Sequence, residues 1–381
     1  MASQHMSGST ARSRSLWVVR LAAGLLAGVL HVAASPVHAA EPTPALAAMA
    51  DAYAVALGAD GGMLNYYVAR RASPPADDAA TSVLIAMHGH PRDANRTLAV
   101  AALAARQAGR DADTLIVAPQ FQVARPADER CRTPGVPAAQ AGDALWTCGS
   151  WMEGAGAKRG GVSSFAAMDQ LLADLKRRWP RLRNVTVSGF SAGAQFVQHY
   201  IGFANPPAGM AVRYVIADPG SWLYFDPVRP TAQRDGRAVD ASTCTAPDGT
   251  CSFTFAAPPT GQCADYDRWK YGIDQAPAAL GRTGQAARTR YVDADIAYLE
   301  GAVDTGDGPG MANRLLDKSC GAQLQGPYRL QRGVAYAAYD RQVLAPSTPR
   351  TLTVVPGCAH SVLCVFPSPA AAGVLFPAAA K

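Results

Sequence analysis

The sequence predicts an α/β protein with a mostly parallel central sheet and helices on both faces of that sheet. Short apolar runs typical of buried strands alternate with helical segments along the chain. A glycine-flanked serine, Ser191, lies where one of these runs meets a helical segment. The 381 residues are 49% hydrophobic and 17% charged, which is enough apolar material for one large core.

Apolar runs of five to eight residues bounded by turn residues predict the strands. We expect strands at residues 63–70, 82–87, 114–119, 184–188, 212–217, 295–300 and 351–355. Helical character predicts helices at residues 41–59, 95–109, 163–179, 194–201 and 326–343. Asn95 is a plausible helix cap and Gly109 a plausible stop, while Pro180 ends the third helix.

Three stretches have little periodicity. Residues 74–78 are expected to form a turn. Residues 122–162 are expected to form a long loop that holds two cysteines and lies near the expected active site. Residues 219–262 are rich in proline and carry a cysteine pair. A long irregular stretch inside a domain is usually functional, so we expect an insertion there and leave open whether it is a lid.

The N-terminal 40 residues are typical of a secretory signal peptide. Three arginines, at 12, 14 and 20, precede an apolar stretch at 21–34 that is too short for a comfortable membrane span. Small residues near position 40 offer cleavage sites; an uncleaved anchor is the alternative. We therefore expect a secreted or periplasmic protein with a single domain at 41–381 and no stable membrane span after signal removal.

The charge balance argues against nucleic-acid binding. The whole chain carries +6, and because residues 1–40 hold three arginines and no acidic residue, residues 41–381 carry +3. That charge is small and dispersed along the sequence, unlike a basic patch.

All eight cysteines follow the signal segment, and an even count in an exported chain predicts disulfides. Spacing suggests three local pairs and leaves a fourth: Cys131–Cys148, Cys244–Cys251, Cys358–Cys364 and Cys263–Cys320. The spacing leaves other connectivities open. No C-x-x-C occurs and only four histidines lie beyond residue 40, so we expect no metal site.

The segment Gly189-Phe190-Ser191-Ala192-Gly193 matches the G-x-S-x-G pattern between a strand and a helix. In that context the serine lies on a sharp turn above the sheet, and the glycines allow the strand and helix to approach closely. We expect Ser191 to be a nucleophile. A plain strand-to-helix connection is the alternative.

A serine nucleophile needs a histidine base, which in this chain order follows an acid. Only His199 and His360 follow Ser191, and His199 lies two helical turns on, where it would point away. His360, just after the last strand, is therefore the expected base. Asp304 is the favoured acid over Asp307, and the alternative for Asp304 is a turn-forming aspartate.

The oxyanion of a tetrahedral intermediate needs two N–H donors. We expect them from the amides of Ala192, after the nucleophile, and His90, in the loop after strand 82–87. His88 and His90 could also be a metal pair, which a lone H-x-H indicates only weakly.

Two further features lie close to these residues in the sequence. Cys358 and Cys364 bracket His360, so a bridge there would hold the base in place; a generic staple is the alternative. Trp222 and Tyr224 follow strand 212–217 and could bind substrate as walls of an acyl pocket or simply pack the insertion.

With its His-Gly loop, G-x-S-x-G, G-x-x-D and late histidine, the chain resembles the α/β-hydrolase superfamily over residues 60–375. It is similar to secreted bacterial serine esterases, including the polyester or poly(3-hydroxybutyrate) depolymerase-like group. Some hydrolases of that group share three further segments: Asp218-Pro219-Gly220-Ser221, Trp269-Lys270-Tyr271-Gly272 and Gln325-Gly326-Pro327-Tyr328.

The resemblance implies hydrolysis through an acyl-enzyme, without a cofactor, and the leading hypothesis is a carboxylic ester hydrolase. The expected partner is an ester substrate, either a small molecule or a polymer. A peptidase or amidase of the same fold is the alternative, since the same triad can cleave amides. A non-catalytic binding protein on this scaffold is the third hypothesis.

Overall fold

The computed structural model describes residues 44–71, 80–245, 251–259, 261, 263–348 and 350–377. The expected signal peptide at 1–40, the domain boundary at 41 and the turn at 74–78 lie outside these residues. The strands are β1 (Ala50–Ala56), β2 (Met63–Ala69), β3 (Ser82–Met87), β4 (Thr114–Gln120), β5 (Gln122–Val123), β6 (Leu145–Trp146), β7 (Asn184–Phe190), β8 (Ala211–Ala217), β9 (Arg229–Arg234), β10 (Arg237–Ala238), β11 (Ser252–Ala256), β12 (Asp295–Gly301) and β13 (Thr351–Val355).

The α-helices are α1 (Leu46–Met49), α2 (Ala94–Gln107), α3 (Ser164–Arg178), α4 (Ala192–Ile201), α5 (Gly284–Val292), α6 (Cys320–Gln323), α7 (Arg329–Tyr339), α8 (Val362–Val365) and α9 (Pro369–Leu375). Short 3₁₀ turns occur at Ala127–Cys131, Ser150–Glu153, Ala241–Thr243, Ala278–Leu280 and Asn313–Leu315, and a π-helical turn, Asp340–Leu344, continues α7. In the described part of the chain, no helix has both the length and the apolar character needed to cross a bilayer.

The central sheet has eight strands in the order β1-β2-β4-β3-β7-β8-β12-β13. The pairs β1–β2 and β2–β4 are antiparallel, whereas every later pair is parallel. Strands β3 and β4 are buried along their whole length, as expected for parallel strands covered by helices on both faces. The predicted α/β class with a mostly parallel sheet is confirmed.

The predicted helix at 41–59 is wrong over most of its length. Only Leu46–Met49 is helical, and Ala50–Ala56 forms the edge strand β1. Tyr53 stacks on Tyr66 of β2 with ring centroids 5.4 Å apart, and its edge meets Trp179. These packing contacts outweigh the helix propensity of the alanines, which is only a weak preference.

The predicted insertion at 219–262 contains more regular structure than its sequence indicates. Strands β9, β10 and β11 form a separate antiparallel sheet in the order β10-β9-β11. A disulfide between Cys244 and Cys251 closes the segment between β10 and β11. The side of this sheet that carries Ala232 and Phe253 packs against helix α7.

Two glycines let strand β7, helix α4 and strand β3 approach one another closely. A Cβ added at Gly189 would lie 2.2 Å from the carbonyl carbon and oxygen of Gly193. A Cβ added at Gly193 would lie 2.6 Å from the Met87 oxygen and 2.7 Å from the His88 oxygen. The neighbouring atoms are backbone and cannot move aside, so only glycine fits at either position.

We expect Gly189→Ala to lower the free energy of unfolding by about 3 kcal/mol or more, because the added methyl group overlaps backbone atoms. Gly373→Ala is the control: Gly373 lies in α9 with no atom within 4 Å of its added Cβ. That change should be neutral or stabilising by up to about 1 kcal/mol. Denaturant unfolding of the oxidised proteins measures both, and equal midpoints for Gly189→Ala and the wild type would contradict the packing argument.

Candidate active site

Ser191 lies in a strained turn at the carboxyl end of β7. Its φ is 58° and its ψ is −120°, a combination that non-glycine residues rarely adopt. The turn places Ser191 directly before Ala192, where helix α4 begins. The strand, sharp turn and helix predicted from the G-x-S-x-G segment are therefore present.

The structure brings Ser191, His360 and Asp304 together, although they are far apart in the sequence. His360 Nε2 lies 2.9 Å from Ser191 Oγ, and His360 Nδ1 lies 2.7 Å from Asp304 Oδ2. Asp304 follows β12 and His360 follows β13, which are parallel neighbours in the sheet. Asp307, the other candidate acid, is exposed and makes no contact with His360 in the described structure.

The surroundings of His360 favour the neutral imidazole. Burial lowers the pKa of His360 and the charge of Arg329 lowers it further, while the hydrogen bond to Asp304 opposes both effects. In the neutral tautomer protonated at Nδ1, the ring donates to Asp304 and leaves the Nε2 lone pair facing the hydroxyl of Ser191. A base in that state can accept the serine proton.

The loop after β3 is fixed by hydrogen bonds on both sides of His90. Gly89 N–H donates to Asp93 Oδ1 at 3.0 Å, and the Gly89 oxygen accepts from Arg92 N–H at 3.0 Å. Among the described residues, no protein group accepts a hydrogen bond from the His90 or Ala192 amides. Both residues line the same cavity as Ser191, so these two N–H groups are available to an oxyanion.

The metal-pair alternative for His88 and His90 is not supported by the contacts of His88. Its Nδ1 lies 2.9 Å from the Gly89 oxygen and its Nε2 accepts from Phe121 N–H at 3.3 Å, so both nitrogens are occupied. Burial lowers the pKa of His88 to about 3. No group of three or more potential metal ligands occurs within the described residues.

Among the described residues, His199 makes no hydrogen bond with Ser191 or Asp304, which agrees with the orientation expected from its place on helix α4. Its two nitrogens lie 2.6 Å from the Gln195 oxygen and 2.9 Å from the Lys270 oxygen, and the ring is fully buried. These contacts join α4 to the segment that contains Lys270.

All four disulfides suggested by the cysteine spacing are present: Cys131–Cys148, Cys244–Cys251, Cys263–Cys320 and Cys358–Cys364. The last closes a loop around His360. Val303 N–H donates to the Cys358 oxygen at 2.9 Å, so the backbone of the Asp304 turn is bonded directly to this loop. The bridge therefore closes the loop that carries His360, and this bond joins that loop to the turn that carries Asp304.

A cavity of about 490 Å³ opens over Ser191. Its apolar lining includes Met152, Phe190 and Val362, while Leu315 and Leu363 at its mouth are 59% and 52% exposed. Such walls suit an alkyl or acyl group beside the reacting carbonyl.

Sequence reasoning missed several charged residues that line this cavity. Lys270 Nζ lies 3.3 Å from Glu153 Oε1 and 3.2 Å from Asp317 Oδ2, and Arg329 is buried with Nη1 3.5 Å from Asp304 Oδ1. The available signals were the shared segments Trp269-Lys270-Tyr271-Gly272 and Gln325-Gly326-Pro327-Tyr328, the second of which directly precedes Arg329. Neither segment by itself indicates a place in the fold.

Trp222 and Tyr224 do not reach the cavity, which corrects their expected role as pocket walls. Both are fully buried, and neither is among the residues that line the cavity. Trp222 stacks on Tyr336 at 4.3 Å and Tyr224 packs on Tyr339 at 4.6 Å, so both anchor their segment to α7. The positions of Trp222 and Tyr224 agree with the alternative that these side chains pack the inserted segment.

Two solved structures are similar to this chain over most of its length. Poly(aspartic acid) hydrolase-1 from Sphingomonas sp. KT-1 is 17% identical with a TM-score of 0.53, covering 83% of this chain and 94% of its own. LpqC, a poly(3-hydroxybutyrate) depolymerase from Bordetella parapertussis, is 19% identical with a TM-score of 0.52, covering 82% and 86%.

The chain has the α/β-hydrolase fold. At these identities the similarity establishes the fold alone. No protein-family model matches the sequence. No curated protein matches it either.

In this α/β-hydrolase fold, we expect loss of the Cys358–Cys364 bridge to impair the site more than the fold. Two double variants each remove one disulfide: Cys358→Ala/Cys364→Ala and Cys244→Ala/Cys251→Ala. The two bridges close loops of similar length, with sequence separations of 6 and 7. Each should lose about 2 kcal/mol of stability. Only the first should slow reaction of Ser191 with a fluorophosphonate, by about tenfold or more, because His360 loses its fixed position.

The rate of fluorophosphonate labelling, followed by mass spectrometry, measures the reactivity of Ser191 in each double variant. The denaturant midpoint measures the stability of each. Equal labelling rates in the two variants would show that the Cys358–Cys364 bridge is only a general staple.

We expect the pH midpoint of the acidic limb of Ser191 labelling to lie below 6.5, the ordinary histidine value, because burial and Arg329 lower the pKa of His360. Below its pKa the imidazole is protonated and cannot accept the serine proton, so a lowered pKa extends reactivity to lower pH. Arg329→Met removes a neighbouring cation and should move the midpoint to higher pH.

Arg96→Met is the control for Arg329→Met. Arg96 also lines the cavity, but its side chain is 50% exposed and screened by water. It should move the midpoint less than Arg329→Met. If Arg329→Met instead moved the midpoint to lower pH, Arg329 would not be the cation that lowers the pKa of His360.

Proposed function

We propose that the chain is a serine hydrolase that cleaves carboxylic esters through an acyl-enzyme. The observation that carries this proposal is the continuous contact from Asp304 through His360 to Ser191, with distances of 2.7 and 2.9 Å, at the base of an open cavity. The three residues have the order and spacing of a nucleophile, base and orienting acid.

In the first half of the reaction, Ser191 Oγ attacks the ester carbonyl carbon while His360 Nε2 takes the hydroxyl proton. Asp304 accepts the hydrogen bond from His360 Nδ1 and stabilises the imidazolium that forms. The His90 and Ala192 amides donate to the carbonyl oxygen as it becomes negative. His360 then returns the proton to the leaving alkoxide, which departs as the alcohol.

In the second half, water attacks the acyl group on Ser191. His360 takes a proton from the water, a second tetrahedral intermediate forms at the same amides, and its collapse releases the carboxylic acid. His360 gives the proton back to Ser191 Oγ, so the enzyme is regenerated. These reaction steps require no cofactor and no metal.

Several features support esters as the substrate class. The cavity of about 490 Å³ has apolar walls near the serine, and Leu315 and Leu363 at its mouth present apolar surface to solvent. Of the two similar solved structures, one is named for a polyester, poly(3-hydroxybutyrate), which supports esters, and the other for a polyamide, poly(aspartic acid), which supports the amidase alternative. Polyesters are therefore among the candidate substrates, beside small esters.

We also propose that the protein works outside the cytoplasm, secreted or in the periplasm. The support is chemical: four disulfides are present, and such bonds persist in oxidising compartments.

The deciding experiment is intact-mass labelling of the oxidised protein with a fluorophosphonate. We expect a single adduct on Ser191 that is lost in Ser191→Ala and His360→Ala. Asp304→Asn should lower kcat/KM for a p-nitrophenyl ester by roughly 10³–10⁴-fold, because the imidazole loses its orienting acceptor. Asp307→Asn is the matched control, an exposed aspartate three residues further on, and should change kcat/KM less than about twofold.

Matched p-nitrophenyl esters and p-nitroanilides then separate the alternatives. Faster turnover of the anilides would favour an amidase or peptidase. No adduct on folded, oxidised protein would overturn the proposal and favour a binding protein on this scaffold.

A further inference from the structure

Three buried carboxyl groups cluster behind His360, and the proposed mechanism uses only one of them. Asp218 at the end of β8, Glu300 in β12 and Asp304 are each at most 1% exposed. Within the described residues, the guanidinium paired with this cluster is that of Arg329, whose Nη1 lies 3.5 Å from Asp304 Oδ1. If all three carboxyl groups were ionised, one guanidinium would face three negative charges out of contact with water, which is very costly.

The hydrogen bonds show where a proton is needed. Asp218 Oδ1 accepts from the Gly301 N–H at 2.8 Å. Within the described residues, Asp218 Oδ2 and both oxygens of Glu300 receive no hydrogen from another group. Asp218 and Glu300 are neighbours in the sheet, since they directly follow the paired residues Ala217 of β8 and Leu299 of β12, and Asp218 binds the amide of Gly301, the residue after Glu300. Two carboxyl groups can form a hydrogen bond only if one of them carries a proton.

Glu300 is the better place for that proton. Asp218 already has an N–H donor for its charge, whereas Glu300 has none. Burial and the charge of Asp218 raise the pKa of Glu300 well above its usual range. Burial and the charge of Asp304 raise the pKa of Asp218 as well, but hydrogen bonding from Glu300 and from the Gly301 amide opposes this and favours the charged form.

We propose that Glu300 is a neutral carboxylic acid that donates its hydrogen to Asp218, and that this pair positions the turn carrying Asp304. The proposal rests on the proposed function only in the role it gives to Asp304. Glu300 and Asp218 are positioning residues, since neither touches Ser191 or the reacting atoms.

The backbone links the pair to the catalytic relay. Asp218 holds the Gly301 amide, and the Gly301 oxygen accepts from Asp304 N–H at 3.1 Å, so the pair fixes the start of the turn. Helix α7 packs directly on the side chain of Glu300. A Cβ added at Gly333 would lie 2.0 Å from Glu300 Oε1, so the carboxyl group occupies the space that a side chain would need.

The neutral state of Glu300 also suits the charge changes of the reaction. With Glu300 protonated, Asp218 and Asp304 carry two negative charges, against the one positive charge of Arg329. The imidazolium that forms at His360 in the transition state then balances the cluster. An ionised Glu300 would add a third negative charge, and a nearby negative charge favours the protonated imidazole, which cannot accept the serine proton.

The first test is infrared spectroscopy of the oxidised full-length wild type and Glu300→Gln. At neutral pH, we expect the wild type to show the stretching band of a protonated carboxyl group, shifted in D₂O and absent from Glu300→Gln. Asp307→Asn, which removes an exposed acid, should remove only carboxylate bands. Loss of carboxylate bands alone in Glu300→Gln would overturn the proposal.

The second test compares Glu300→Gln with Glu300→Met in the pH dependence of fluorophosphonate labelling. Glutamine is neutral and keeps a donor for Asp218, so the midpoint of the acidic limb should match that of the wild type. If Glu300 were ionised, the loss of its charge would shift that midpoint to lower pH. Methionine cannot donate to Asp218, and it should label about tenfold more slowly than Glu300→Gln.

The two readouts separate the two proposals. Absence of any adduct in the wild type would refute the serine hydrolase, while the infrared band would still decide the protonation of Glu300. A normal adduct without the protonated-carboxyl band would refute the acid pair and leave the proposed function intact. If Glu300→Met does not fold, the infrared comparison of the wild type with Glu300→Gln decides alone.

Discussion

The close approach of β7, α4 and β3 is the constraint on which the site depends. Gly189 and Gly193 bring backbone to backbone at distances that no side chain tolerates, and this contact holds Ser191 at a positive φ. The same contact sets the loop after β3 beside the first turn of α4. Ser191 and the amides of His90 and Ala192 therefore owe their relative positions to one backbone packing arrangement, with strain at Ser191 that the surrounding core sustains.

The second constraint is the balance of buried charge behind the relay. Asp304 lies between His360 and Arg329, and two further buried acids approach it from β8 and β12. In a poorly solvated cluster each charge depends on a specific partner, so the protonation of one acid affects the others and the base. The geometry of the relay and its proton affinity are therefore parts of one electrostatic arrangement.

Most of the site could be read from the sequence because its chemistry leaves few choices. The G-x-S-x-G segment marked Ser191, and the small number of histidines left His360 as the base. The structure brings both together with Asp304, as the order of the strands implied. The predictions were wrong where side-chain packing determines the structure. The alanine-rich segment 50–56 forms a strand because Tyr53 packs on the neighbouring strand, and the Trp222 side chain packs in the core instead of lining the cavity.

The sequence by itself determined the fold class and the sharp turn at Ser191, since these follow from local periodicity and turn chemistry. It suggested the cysteine partners from short spacings and left other pairings open. Only the tertiary structure placed Arg329 against Asp304, Lys270 between Glu153 and Asp317, and Glu300 on the strand next to Asp218. These contacts join residues from different strands and helices. Their partners are set by sheet order and helix packing, and no single segment of sequence carries that information.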